Sequence, residues 1–100
     1  MLSSNQRAQL RALANSIETI LQIGKGGITD NIITQVTDAL AARELIKGRV
    51  LESSMLTARE AADELSRLCR AESVMTIGSR FVLYKENFDI PKEKRITLTK

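Results

Sequence analysis

Three segments of helical period, each opened by an N-cap signal, alternate with short β-type runs along this chain of 100 residues. Ser3-Ser4-Asn5-Gln6 matches a capping box, in which the Ser hydroxyl and the Gln amide satisfy each other's orphan N–H groups. Leu10, Leu13, Ala14 and Ile17 follow at helical spacing, so the pattern predicts a helix over 4–18, buried along that stripe. Thr29 is an N-cap with Asp30 in the first turn, where the helix dipole favours an anion. Ile28 and Ile33 take the two positions of a hydrophobic staple, and Ile32, Val36, Ala39 and Leu40 continue the apolar face to Arg43. Thr57-Ala58-Arg59-Glu60 is a further capping box, followed by Ala61, Ala62, Leu65, Leu68 and Cys69 on one helix face.

Between these helices, residues 20–23 form a short apolar β-type run, and residues 44–51 alternate. Ile46, Gly48 and Val50 point one way; Leu45, Lys47, Arg49 and Leu51 point the other, with two cations side by side. The runs 73–77 and 81–85 flank Gly78-Ser79, a two-residue hairpin turn with Gly first. Phe81 and Tyr84 then face opposite sides of the last strand. The order is α-β-α-β-α-β-β. Helical crossovers favour parallel pairing and right-handed connections, and the closing hairpin adds an antiparallel strand. The fold class expected is α/β: a two-layer sandwich on a mixed four-stranded sheet. Residues 1–86 read as one domain and 87–100 as a basic C-terminal tail, in which residues 95–99 either add an edge strand or stay mobile.

Composition removes several chemistries. There is no His and one Cys, so an internal disulfide and a zinc shell are both unexpected, and the commonest general base is missing. Asp63 and Glu64 are adjacent on their helix and diverge, so they make no catalytic carboxylate pair. No apolar run approaches the roughly 20 residues of a membrane span, and the polar N-terminal stretch lacks the apolar core of a signal peptide. A soluble cytoplasmic monomer with no cofactor, no membrane partner and no small-molecule substrate is the expectation. Net charge is +3, mild enough that its distribution must decide what it means.

The distribution points to Gly24-Lys25-Gly26-Gly27, between the first β-type run and the second helix. Glycines let a backbone approach closely, the N–H groups of the following helix point outward, and Lys25 adds a flexible charge. Loop chemistry alone leaves a plain turn and an anion site both open. Nucleotide fingerprints fail on spacing. A Walker A loop needs four residues between its first Gly and Gly-Lys-Ser/Thr, whereas Lys25 directly follows Gly24. A dinucleotide loop would need glycine where Thr29 stands. What remains is G-x-x-G, the loop that KH-type clamps set against a single-stranded nucleic-acid backbone.

The segments QRAQLRALA, IGKGGIT, ALAARELIKGRVL and IGSRFVLYKE, in that order and spacing, resemble the YhbY-type CRM domains (chloroplast RNA splicing and ribosome maturation). The resemblance runs from about residue 6 to 86. It implies a fold similar to the C-terminal domain of bacterial translation initiation factor three, and RNA binding through the G-x-x-G loop and adjacent basic surfaces. Bacterial members are associated with precursors of the large ribosomal subunit. Carried over by position, Gly24, Lys25, Gly26 and Gly27 match the loop, and Arg7 and Arg11 the basic flank of the first helix. Arg43, Lys47 and Arg49 sit in the ARELIKGRV segment, and Arg80 in the hairpin motif. Gly48 departs from the pattern, which has an apolar residue such as Val there, and marks a candidate bulge.

The function expected on this resemblance is RNA binding in assembly of the large ribosomal subunit, without catalysis. The alternative is a protein-interaction module that joins the ribosome through the open sheet face. Ordinary roles compete at each residue: Lys47 and Arg49 could keep that face soluble, and Arg7 and Arg11 could belong to a charged helix flank with Glu18. Arg80 and Lys85 could protect a hairpin edge, Tyr84 could stack a base, and the tail could be solvated or tether phosphate.

Overall fold

The computed structural model describes residues 2–99; Met1 and Lys100, the last residue of the basic tail, lie outside the described residues. Its elements are α1 (Ser4–Ala14), β1 (Thr19–Ile23), α2 (Asp30–Arg43), β2 (Leu45–Val50), α3 (Ala58–Cys69), β3 (Glu72–Ile77) and β4 (Arg80–Tyr84). Both capping boxes form. The Ser3 and Thr57 hydroxyls accept from the N–H groups of Gln6 and Glu60, whose side chains accept in return from the cap N–H groups. Thr29 caps α2 by accepting from the Ile32 N–H at 3.2 Å. The first helix ends four residues before the expected 18: after Ala14 the N–H groups of Asn15, Ser16 and Ile17 bond three residues back, tightening the last turn. Ile17 still packs against the core, so the apolar period outruns the helix.

The sheet is mixed and four-stranded, in the order β1-β2-β4-β3. β1 and β2 pair in parallel, and β4 pairs antiparallel with both β2 and β3. The hairpin therefore does not extend the sheet outward; it folds β4 inward, between two strands that run parallel to one another. β4 is central, so Arg80 and Lys85 guard no edge. The Lys85 ammonium instead donates to the Cys69 carbonyl at 3.0 Å, satisfying an acceptor at the end of α3.

α2 and α3 cover one face over Ile23, Ile46, Phe81 and Leu83, and this is the expected two-layer sandwich. α1 adds a partial layer on the other face, where Leu10 and Ala14 pack over Leu45, Val74, Val82 and Tyr84. The basic face of β2 is thus half covered: Leu45 is buried, Lys47 half-buried and Arg49 exposed. Phe81 and Tyr84 do face opposite sides, and both are core, which takes the Tyr84 ring out of reach of a stacked base.

Gly48 has a steric cause. It lies directly opposite Phe81, and a Cβ there would stand 2.3 Å from the ring. The missing side chain lets the largest fully buried residue lie across the strand. Irregularities in pairing fall in β1, between Thr19 and Leu21 beside Lys47 and Gly48, and in β3, between Ser73 and Met75.

The tail forms no strand among the described residues. It turns once through residues 92–94 and returns to α1, where the Gln9 amide donates to the Thr97 carbonyl at 2.7 Å and accepts from the Thr99 N–H at 2.7 Å. Glu44 organises this return. It sits at the α2–β2 junction with φ +63°, a conformation that costs a non-glycine residue about 1–3 kcal/mol, and is 1% exposed. Its carboxylate accepts from the N–H groups of Asn87 and Ile96, both at 2.8 Å, and its carbonyl accepts from the Lys85 N–H. Ile96 and Leu98 then pack over the α1 side of the core.

Replacing Gly48 with Val should destabilise the fold by about 1–3 kcal/mol through overpacking, read as a lower urea midpoint. Combining it with Phe81→Leu should recover part of that loss relative to the sum of the single changes. Tyr84 offers a second check, because it is the chain's one tyrosine. Burial, with Glu44 and Glu86 adding repulsion and Arg95 opposing, pushes its hydroxyl from 10 up to about 12. The folded state holds that proton more tightly than the unfolded chain. Tyr84's contribution to stability should be constant below pH 10 and fall by on the order of 2 kcal/mol between pH 10 and about 12. Tyrosinate absorbance followed alongside far-UV circular dichroism reads both events.

Candidate nucleic-acid interface

β1 delivers the chain to Gly24 at the edge of the sheet. The Gly27 N–H donates to the Gly24 carbonyl at 3.0 Å, closing a four-residue turn with Lys25 and Gly26 at its corners. Gly26 (φ +101°) and Gly27 (φ +67°) are both in the left-handed region, where L side chains are strained. The turn explains these two glycines; a Cβ at Gly24 would meet only ordinary contacts, with Leu51 at 3.5 Å and Ser53 at 3.6 Å. Lys25 is exposed at the tip. The first turn of α2 follows, its dipole partly offset by Asp30.

The register sets what lies beside this loop. Ile23 pairs with Val50 and Gln22 with Arg49, so Arg49 stands one residue from the strand end that feeds the turn. Across β2 and β4, Arg49 is directly opposite Arg80. Opposed residues of an antiparallel pair share a face, and Lys47 lies on it two residues back. Like charges directly opposite are destabilising, and no acid pairs with Lys47, Arg49 or Arg80 among the described residues. The strip borders a shallow depression with an apolar floor of Met75, Ile77 and Val82, and Ile77 is 63% exposed.

The opposite flank of the loop is different in sign. A cleft there is lined by Gly26, Gly27, Met55, Glu60 and Glu64. An anion reaching the loop meets carboxylates on that side and cations on the other. The electrostatically favourable approach is across the sheet face.

The remaining arginines do not join this group. The Arg7 guanidinium donates to the Ser73 carbonyl at 2.7 Å and stands 3.8 Å from the Glu72 carboxylate, which clamps α1 to the edge strand β3. Arg11, one turn along the same flank, is exposed. Arg43 closes α2 at the far end of the sheet, beside Glu18 and Ile20. Sequence reasoning brought out every cation here but missed Glu44, whose position at a helix–strand junction gave no sign of burial. It also missed that the tail docks. Gln6 and Gln9 of α1 hold Thr97 and Thr99, and the sequence marked Gln6 only as the capping-box partner of Ser3.

Comparison with known proteins identifies the family and the fold. The profile of the CRS1 / YhbY (CRM) domain matches residues 2–85. The chain is 44% identical over 87 residues to the "Probable RNA-binding protein YqeI" of Bacillus subtilis, covering 87% of this chain and 91% of that one. It is 31% identical over 84 residues to an "RNA-binding protein" of Haemophilus influenzae, covering 84% and 85% respectively. Among solved structures, the solution structure of the hypothetical protein SAV1595 from Staphylococcus aureus superposes with a TM-score of 0.76 at 41% identity, covering 99% of this chain and all of that one. The profile match over nearly the whole chain and these relatives show that the chain belongs to the CRS1/YhbY (CRM) domain family.

Proposed function

We propose that this protein binds RNA and, in the cytoplasm, associates with the precursor of the large ribosomal subunit and assists its assembly. The observation that carries the reading is the placement of the Gly24–Gly27 turn beside an unpaired strip of Lys47, Arg49 and Arg80. The relatives named as RNA-binding proteins support the same partner. An RNA backbone lies against the turn where no side chain obstructs it, Lys25 meets a phosphate, and the strip holds the following phosphates in register. Arg11 on α1 and Arg43 at the far end of the sheet stand apart from the strip as separate cations that a longer RNA reaches. Arg7 contributes by holding α1 in place. The action is binding without a catalysed step, by a monomer that uses no cofactor.

A second reading rests on the exposed Ile77 beside the strip. An apolar residue among cations also suits a ribosomal-protein partner, whose binding would survive RNase treatment.

Lys25→Glu should weaken binding to a large-subunit ribosomal RNA fragment about tenfold, read by fluorescence anisotropy, with an unchanged melting temperature. Gly26 is a poorer choice, because a side chain at φ +101° strains the turn itself. About four phosphate contacts give a log–log salt slope near −3 on single strands; an affinity indifferent to salt defeats the mechanism. Arg80→Glu separates function from fold. Placing an acid opposite Arg49 should stabilise the sheet by about 0.2–1 kcal/mol while RNA affinity falls.

A further inference from the structure

A second cleft lies at the end of the sheet opposite the glycine turn. Tyr84 pairs with Leu45 at the start of β2, whereas Arg80 pairs with Arg49 near its end, so roughly 13 Å of strand separates the two regions. The cleft encloses about 680 Å³ between α1, the start of β3 and the returning tail. That is within the usual range for a small-ligand site.

Its lining carries features that the fold does not use. The Tyr84 hydroxyl and the Arg95 Nε are buried donors with no acceptor, and Tyr84 is 3% exposed. Leaving buried donors unpaired is costly, so an acceptor arriving there gains more than an ordinary hydrogen bond. Arg70 and Lys92 add positive charge. Phe88 is 75% exposed, whereas the chain's other two aromatics are buried. The Arg95 guanidinium stacks over its ring at 5.1 Å, leaving the opposite ring face open. Glu72 and Glu86 also line the cleft, and their carboxylates are acceptors for hydroxyl or amino groups. Oxyanion donors, an open aromatic face and an acceptor for hydroxyl or amino groups together match a nucleoside phosphate.

We propose that this cleft holds one nucleotide of a bound RNA chain, its phosphate toward Arg95, Lys92 and the Tyr84 hydroxyl and its base on the open face of Phe88. The proposal rests on the RNA-binding reading and adds a second point of attachment at the other end of the molecule. Two linked attachments raise affinity for an RNA long enough to span both.

The test compares wild type, Lys25→Glu, Phe88→Ala and Tyr84→Phe for binding to a long single-stranded RNA oligonucleotide. Wild type is also titrated with adenosine 5′-monophosphate and followed by amide NMR. Phe88→Ala and Tyr84→Phe should each weaken RNA binding about fivefold or more, the low end of base stacking or of a charge-assisted hydrogen bond. The melting temperature of Tyr84→Phe should hold or rise, since only an unpartnered hydroxyl is lost. Undiminished RNA binding by both variants, with loss in Lys25→Glu, overturns the cleft and leaves the RNA function standing. Saturable mononucleotide shifts at residues 84–98 without any effect on RNA overturn the RNA assignment in favour of a free nucleotide. If wild type binds no RNA, the functional reading fails as well, and absence of mononucleotide shifts then removes the cleft's nucleotide chemistry too.

Discussion

The antiparallel strand β4 lies between two strands that run parallel to one another, and both ends of the molecule take their character from that insertion. At one end it sets Arg80 opposite Arg49, next to the glycine turn. At the other it buries Tyr84 beneath the tail. In its middle Phe81 fills the space that Gly48 leaves open, so the strand most enclosed by neighbours also carries the bulkiest fully buried side chain. A fully buried Phe contributes about 1.5–3 kcal/mol, and here that gain depends on one residue across the ladder having no Cβ.

A sheet with helices on both faces leaves little surface for binding, and what remains is where the cover stops. α2 and α3 close one face. α1 ends at Ala14, leaving Lys47, Arg49 and Arg80 beyond its C-terminus. The strip is therefore open because a helix is short, and basic although like charges oppose each other there. A polar, neutral face would be more stable. Keeping three cations together against their own repulsion makes sense when an anion completes the arrangement.

Glu44 plays a comparable part for the tail. Two of its carboxylate hydrogen bonds reach segments 43 and 52 residues away in sequence, and they offset the strain of its positive φ. The tail is thereby a wall of the molecule, where its sequence left an edge strand, a solvated extension and a phosphate tether open. Arg95 illustrates the change: read as one more basic residue, it is instead stacked on Phe88 with its Nε buried.

Local chemistry made the element order legible, because capping boxes, hydrophobic period and the Gly78-Ser79 turn are each written within a few residues. The glycine turn and the cations of β2 were legible for the same reason, the turn through residue type and the cations through alternation along one strand. Pairing partners were not. Whether β4 lies outside or inside, which face α1 covers, and which of Arg7, Arg43 and Arg80 stands near the loop depend on contacts between residues far apart in the chain. The sequence by itself determined the elements and the chemical groups each one carries. Only the tertiary structure decided which groups share a surface, because neighbourhood in a sheet is settled by the burial of whole faces, a sum over distant residues that no short motif records.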